Sequence, residues 1–189
     1  MPRIVGIGGT QRPGSSSELL VKTVLDICAT HGAQTRLFGG QELAALPHYD
    51  PYRRDRTAGE SELIEAVRAA DGIIIASPSY HGGVSGVIKN AIDLLEELRQ
   101  DPRPYFDGRP VGLLVSASGW QAGGVTLAAL RGIVHAMRGW PTPMGIAINT
   151  LEQKPFDADG RLVDDKLGVQ LDAMAQQLAI GCLGLSQRH

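Results

Sequence analysis

The stretch Gly72–Ser77, GIIIAS, decides the fold. Its near-continuous β-branched residues predict a central parallel strand that is covered on both faces. A loop from Pro78 to Gly83 follows, and apolar residues at i, i+3 and i+4 spacing then predict a helix from about Val84 to Leu98. This order of strand, loop and helix is typical of a βαβ unit and therefore of a parallel sheet.

The same alternation of strand and helix extends in both directions from this unit. Further strands are predicted at 3–8, 34–38, 111–116 and 145–149. Further helices are predicted at 16–29, 60–70, 123–137 and 165–180. No linker rich in glycine, serine or proline divides these five β/α repeats, so residues 1–189 are predicted to form a single domain. Right-handed crossovers then predict an α/β fold with a doubly wound, five-stranded parallel sheet.

The composition is that of an ordinary globular protein. The formal net charge of the 189 residues is -2, and no cluster of lysine and arginine predicts contact with nucleic acid. No apolar run approaches the roughly 20 residues of a membrane span, and no signal-peptide pattern opens the chain, so we expect a cytoplasmic protein. Cys28 and Cys182 stand in apolar helical contexts, which favours buried thiols over a disulfide or metal site. No metal-ligand spacing relates the histidines, which are His31, His48, His81, His135 and His189.

In a doubly wound sheet, ligands bind beyond the carboxyl ends of the strands. The loop after the first strand, residues 8–18, combines glycines, consecutive serines and Arg12 just before a helix. Backbone N–H groups, hydroxyls, the helix dipole and a guanidinium together make a phosphate cradle. The dinucleotide fingerprint fails at Gln11, the Walker A pattern fails at Ser15, and the loop lacks the cysteine of a phosphatase. The pattern favours binding of a monophosphate without cleavage, and the alternative is a serine N-cap with incidental neighbours.

The loops after the third and fourth predicted strands both combine a glycine pair with aromatic residues. In residues 77–84, a proline precedes Tyr80 and His81, and two glycines that allow close backbone approach follow them. Residues 116–124 combine small residues with Trp120 and a second glycine pair. Two such loops on neighbouring strands predict a flat slot for a planar tricyclic ring. Taken singly, Tyr80 and Trp120 are equally compatible with ordinary surface or core packing.

At these loops the sequence resembles the NADPH-dependent FMN reductases of flavodoxin-like fold, a family that includes quinone, azo dye and chromate reductases. Residues 9–17 look like the family's phosphate loop, and residues 116–119 resemble its third flavin loop. Residues 77–93 are similar to its most recognisable stretch, in which a G-x-x-K-N-A-x-D helix follows the second flavin loop. The resemblance implies a flavodoxin-like sheet with strand order 2-1-3-4-5.

The resemblance also implies the roles of individual residues. The phosphate of FMN would be held by Thr10, Arg12, Ser15, Ser16 and Ser17. The flavin ring would be lined by Pro78, Ser79, Tyr80, His81 and Gly82. The other edge of the ring would lie near Ser116, Ser118 and Gly119. Lys89, Asn90 and Asp93 are expected at structural or interface positions, and family members commonly form homodimers or homotetramers.

The implied activity is that of an FMN-dependent NAD(P)H oxidoreductase. The flavin itself accepts hydride from NADPH or NADH, so no catalytic side chain and no metal is expected. Electrons then pass to a small acceptor, which would be a quinone, an azo compound, a metal oxyanion or free flavin. If FMN is instead a released substrate, its partner would be a flavin-dependent monooxygenase. The alternative is a non-enzymatic, flavodoxin-type electron carrier, but such carriers are usually strongly acidic and this chain is nearly neutral.

The segment Leu46–Gly59 carries Tyr49, Tyr52 and three arginines. Its prolines and charged residues predict an irregular connection between the second strand and the next helix. Four roles stay open for it: a lid, a contact for nicotinamide phosphate, an interface arm or a plain solvated loop.

Overall fold

The computed structural model describes residues 1–185 as an alternating series of strands and helices. The strands are β1 (Arg3–Gly8), β2 (Gln34–Phe38), β3 (Gly72–Tyr80), β4 (Gly83–Val84), β5 (Pro110–Ala117) and β6 (Trp140–Asn149). The helices are α1 (Ser16–Thr30), α2 (Gly40–Ala44), α3 (Ala58–Arg68), α4 (Gly86–Leu94), α5 (Trp120–Ala136) and α6 (Asp165–Leu185). A 3₁₀ turn at Leu95–Leu98 continues α4.

The long strands form one parallel sheet in the order β2-β1-β3-β5-β6. Ile74 of β3 lies opposite Gly6 of β1, and Val115 of β5 lies opposite Ala147 of β6. This order confirms the predicted 2-1-3-4-5 arrangement, with the numbers shifted by β4, a two-residue strand antiparallel to the end of β3. The strand order reverses between β1 and β3, which is where sheets of this type bind ligands.

The side chains of β3 alternate between two cores. Ile73 and Ile75 pack on the face that is covered by α3, α4 and α5. Ile74 packs on the other face, with α1 and α6. All three isoleucines are fully buried, and each such burial stabilises the fold by roughly 1.5–3 kcal/mol. Burial on both faces explains why this stretch is apolar without alternation.

The last strand is longer than predicted. The sequence pattern places its start at Gly145, whereas β6 begins at Trp140. Pro141 and Pro143 look like strand breakers, but β6 is an edge strand, and an edge strand tolerates proline because its outer N–H groups need no partner.

Two helix starts and one short helix also differ from the prediction. Helix α4 starts at Gly86 rather than Val84, because Gly83 and Val84 pair with β3 as β4 and Ser85 caps the helix. Helix α5 starts at Trp120 rather than Gly123. Gly123 lies inside the helix, where the absence of a side chain permits close approach to Ala147, since a Cβ would come within 3.3 Å of it. Helix α2 has only five residues, too few to show a helical period.

Within residues 1–185, no helix combines the length and the apolar character needed to cross a membrane.

Candidate functional site

The loop after β1, residues 9–17, packs tightly against the connection between β2 and α2, and we call it the phosphate loop. Gly9 has a φ of +137°, and a side chain there would come within 2.5 Å of the Gly40 backbone nitrogen. The carboxylate of Glu18 accepts hydrogen bonds from the backbone N–H groups of Gly40 at 2.8 Å and of Gly14 at 3.4 Å. Glu18 therefore joins the phosphate loop to the neighbouring connection.

Helix α1 begins with backbone donors that have no acceptor among residues 1–185. Ser15 is the N-cap in extended conformation, and its side chain makes no capping hydrogen bond. The Ser15 hydroxyl lies 3.4 Å from that of Ser17, which is fully buried. In the part of the chain that the structure describes, the backbone N–H groups of Ser15, Ser16 and Ser17 find no acceptor. Free N–H groups at the positive end of a helix dipole form an anion site.

Arg12 supplies the charge of this site. Its backbone N–H donates to the Thr10 hydroxyl at 3.2 Å, which holds the turn. Among residues 1–185 its exposed guanidinium makes no ion pair or hydrogen bond. The adjoining cavity has a volume of about 390 Å³, and none of its lining residues carries a carboxylate. An unpaired cation beside free N–H donors favours an anionic ligand.

One wall of the cavity comes from the tip of β3. The chain reverses at His81 and Gly82, whose φ angles of 55° and 75° lie in the left-handed region, and it returns as β4. The Ser79 hydroxyl lies 2.7 Å from the hydroxyl of the buried Thr126, so Ser79 is tied to α5. Tyr80 is 58% exposed and presents a flat aromatic wall.

The opposite wall comes from the ends of β5 and β6. Ser116 is buried at the end of β5, and Ser118 follows it on the surface. Thr150 comes after β6, and both its backbone N–H and its hydroxyl donate to the Ala117 carbonyl, at 2.8 and 3.1 Å. These bonds hold the two strand ends together as one rim.

The sequence pattern predicts that Trp120 helps to form the flat slot for a planar ring. In the structure Trp120 does not line the cavity. It is the first residue of α5 and is 52% exposed. Its indole N–H donates to the Glu152 carboxylate at 2.9 Å, which fixes the segment after β6. The aromatic surface of the cavity lining therefore comes from Tyr80.

The structure brings most of the predicted site residues together. The predicted residues that line the cavity are Thr10, Arg12, Ser15, Ser16, Ser17, Pro78, Ser79, Tyr80, Ser116 and Ser118. The predicted residues that lie beyond its lining are His81, Gly82 and Gly119. The lining also includes Gly14, Ala117 and Thr150, which the prediction does not name. Thr150 follows a strand of the sheet, so reading the end of the fifth predicted strand like the others would have found it.

The thiols and histidines add no further chemistry to this cavity. Cys28 and Cys182 are buried, and burial raises the pKa of the two thiols to about 11 and about 12. They are therefore protonated near neutral pH and are poor nucleophiles. Within the described residues, no group of three or more His, Cys, Asp or Glu side chains could hold a metal ion, and His189 lies outside those residues.

Comparison with known proteins identifies the family. Residues 2–153 match the model of the family described as NADPH-dependent FMN reductase. The chain belongs to this family. An NAD(P)H-dependent FMN reductase of Pseudomonas aeruginosa is 27% identical over 180 residues, which are 94% of this chain and 94% of the relative. An FMN-dependent NADPH-azoreductase of Staphylococcus haemolyticus is 30% identical over 174 residues, which are 88% of this chain and 87% of the relative.

Solved structures share the fold of this FMN reductase. A flavoenzyme NAD(P)H:(acceptor) oxidoreductase from Paracoccus denitrificans superposes with a TM-score of 0.77 at 21% identity, covering 97% of this chain and 98% of the other. The apo form of an NADH:FMN oxidoreductase has a TM-score of 0.72 at 20% identity, covering 95% and 89%. At these identities the likeness concerns the fold alone. Family membership confirms the predicted enzyme class, with FMN and a reduced nicotinamide donor, and gives no support to the flavodoxin-type carrier.

Proposed function

We propose that this FMN reductase binds FMN in the cavity between the phosphate loop and the ends of β3 and β5, and that it passes electrons from NADPH or NADH to a small acceptor. The observation that carries the assignment is the set of unpaired N–H donors at the start of α1 beside the unpaired guanidinium of Arg12. Bound FMN supplies the redox chemistry, because its ring accepts and donates hydride.

The phosphate loop fits a phosphate dianion. Ser15, Ser16 and Ser17 offer backbone N–H groups, and their hydroxyls can donate as well. Thr10 holds the turn that places Arg12 at the cavity, and Arg12 adds the positive charge. A charge-assisted hydrogen bond of this type contributes about 1.5–3 kcal/mol.

The flavin ring is assigned to the rest of the cavity. Its neighbours there are proposed to be Pro78, Ser79, Tyr80, Ser116 and Ser118. His81, Gly82 and Gly119 lie beyond the lining, and we assign them to the outer rim, where a ring that reaches past the cavity would meet them. The task of these residues is to bind and orient the ring and leave one face open. No side chain is needed to relay a proton for hydride transfer.

The acceptor is proposed to be an azo compound or a quinone, since FMN-dependent azoreductases are among the relatives; metal oxyanions and free flavin are further candidates. We also infer a cytoplasmic enzyme with residues 1–189 as a single domain, and a homodimer or homotetramer. If FMN leaves after reduction, a flavin-dependent monooxygenase would be the recipient. Dissociation constants of oxidised and reduced FMN distinguish a prosthetic group from a substrate.

The decisive experiment is an absorbance spectrum of the purified protein with FMN, before and after anaerobic addition of NADPH. We expect a perturbed flavin spectrum on binding and bleaching of the flavin band on reduction. Reoxidation by a quinone or an azo dye should follow, at the expense of NADPH. A protein that neither binds FMN nor consumes NADPH in its presence would contradict the proposal, and bound FMN that NADPH does not reduce would restore the carrier alternative.

A further inference from the structure

A second cavity of about 470 Å³ adjoins the proposed FMN site. The two cavities share the walls formed by Thr10, Arg12, Pro78 and Tyr80. The residues that line only the second cavity are Gln11, His48, Ser85, Gly86 and Val87. A molecule in the second cavity would therefore contact the same tyrosine and arginine as a ligand in the first.

His48 is held in this wall by one side chain from α4. The Asn90 Oδ1 atom accepts a hydrogen bond from the Tyr49 backbone N–H at 2.8 Å. The Asn90 Nδ2 atom donates to the Pro47 carbonyl at 2.9 Å. The two bonds bracket His48 on both sides, so its backbone is fixed although its side chain is exposed.

We call the segment Leu46–Thr57, which contains His48, the strap. The rest of the strap is anchored as well. The side chain of Arg56 is only 8% exposed and pairs with Glu97 at 2.7 Å. Its guanidinium also lies 5.1 Å from the centre of the Tyr49 ring and donates to the Asp50 carbonyl at 3.3 Å. These contacts anchor the strap to the 3₁₀ turn that continues α4 and to its own backbone, while much of its surface stays exposed.

The side chains around the second cavity define the chemistry of its ligand. Gln11 and His48 add hydrogen-bond donors to the charge of Arg12, and no lining residue carries a carboxylate. Tyr80 and Val87 add aromatic and apolar surface. Donors together with aromatic and apolar surface in one cavity fit a planar ligand that carries an acidic group.

We propose that this second cavity binds the acidic group of the molecule that exchanges electrons with the flavin. In this proposal, which rests on the proposed function, His48 is a specificity residue and Asn90 is its positioning residue. The acidic group has two sources, a sulfonate or carboxylate on an aromatic acceptor or the 2′-phosphate of NADPH. Both present anionic oxygens to the same donors.

The test compares wild type with His48→Ala, and His135→Ala serves as the control for loss of an exposed histidine at the far end of α5. Steady-state constants are measured with 1,2-naphthoquinone, 1,2-naphthoquinone-4-sulfonate, NADPH and NADH. We expect His48→Ala to raise the KM of an acidic substrate about tenfold, while the neutral quinone changes by less than about twofold. FMN affinity should stay at the wild-type value.

The arms of this experiment separate the sources of the acidic group. A change for the sulfonate alone assigns the cavity to the acceptor, and a change for NADPH beyond that for NADH assigns it to the 2′-phosphate. Equal changes for all substrates, or none, would overturn the inference. Wild type that fails to bind FMN would instead remove the proposed function on which it rests.

The role of Asn90 is tested with Asn90→Ala and the milder Asn90→Asp, which keeps the acceptor for Tyr49 but loses the donor to Pro47. Each folded, FMN-loaded variant should lose the preference for the acidic substrate, as His48→Ala does. Combination with His48→Ala should add little, because both changes remove the same contact. Variants of Asn90 that retain the wild-type preference would show that the residue only supports the fold.

Discussion

The phosphate loop and the strap use similar residues for opposite purposes. Both are polar, proline-containing and arginine-bearing connections near the carboxyl edge of the sheet. Within residues 1–185 the guanidinium of Arg12 has no partner, whereas Arg56 is paired with Glu97 and lies 3.6 Å from the buried Glu60. Carboxylates supplied by neighbouring helices therefore decide whether an arginine is left for a ligand or stabilises the fold.

The largest expected effect is on the free energy of unfolding, through the ion pairs that anchor the strap. Glu60 is fully buried at the start of α3, where it accepts from the Thr57 backbone at 2.7 Å and pairs with Arg53. Glu60→Gln should lower the free energy of unfolding by about 3 kcal/mol, because the buried side chain loses its charge-assisted hydrogen bonds from Arg53 and the Thr57 backbone N–H. Urea denaturation measures this, with the exposed Glu62→Gln on the same helix as control, expected within about 1 kcal/mol of wild type. Equal effects of the two variants would show that burial of the pair is irrelevant.

The lowered pKa of Glu60 also predicts how the free energy of unfolding depends on pH. Burial acts to raise its pKa, but hydrogen bonds from Thr57 and Arg53 outweigh burial, and the pKa is lowered from its ordinary value of 4.5. Its stabilising contribution is therefore complete above pH 4.5 and is lost as the pH falls through the lowered value. Unfolding free energies measured from pH 7 downwards should fall more steeply for wild type than for Glu60→Gln. Parallel curves would contradict this.

The next largest effect is expected on FMN affinity and concerns the phosphate loop. Arg12→Ala should weaken FMN binding by about ten- to a hundredfold, the value of one charge-assisted hydrogen bond. Riboflavin, which lacks the phosphate, should bind almost equally to both proteins. Arg54→Ala is the matched control, since Arg54 is an exposed arginine of the strap that lines neither cavity. Fluorescence titration with both ligands measures these changes, and equal losses for FMN and riboflavin would show that Arg12 does not contact the phosphate.

The smallest predicted effect tests a single hydroxyl. Ser17→Ala removes a buried donor at the cavity and should weaken FMN binding by roughly three- to tenfold. Stability should change little, because alanine is a good helix former. Ser61→Ala, an exposed serine in α3, should leave binding unchanged. The fluorescence titration with FMN measures both changes. Unaltered FMN affinity in Ser17→Ala would limit the phosphate contacts to backbone N–H groups and Arg12.

The strands of the parallel sheet and the position of the cavity followed from local pattern, whereas the strand order followed from the resemblance to the family. Continuous apolar residues predict buried strands such as Gly72–Tyr80, and glycine- and serine-rich loops indicate where such strands end. Where the prediction failed, the cause was a local rule overridden by neighbours. Pro141 and Pro143 are tolerated because β6 is an edge strand, and the helical Gly123 allows α5 to lie close to Ala147 of β6.

By itself, the sequence determined the α/β class, the parallel sheet and the loops that form the cavity, because each depends on patterns within a few residues. Only the tertiary structure decided which polar groups remain free. Asn90 reaches Pro47 and Tyr49 across more than forty residues, and Glu97 reaches Arg56 across 41. A charged side chain that is already paired, such as Arg56, is less available to a ligand, and such pairing depends on contacts between distant segments.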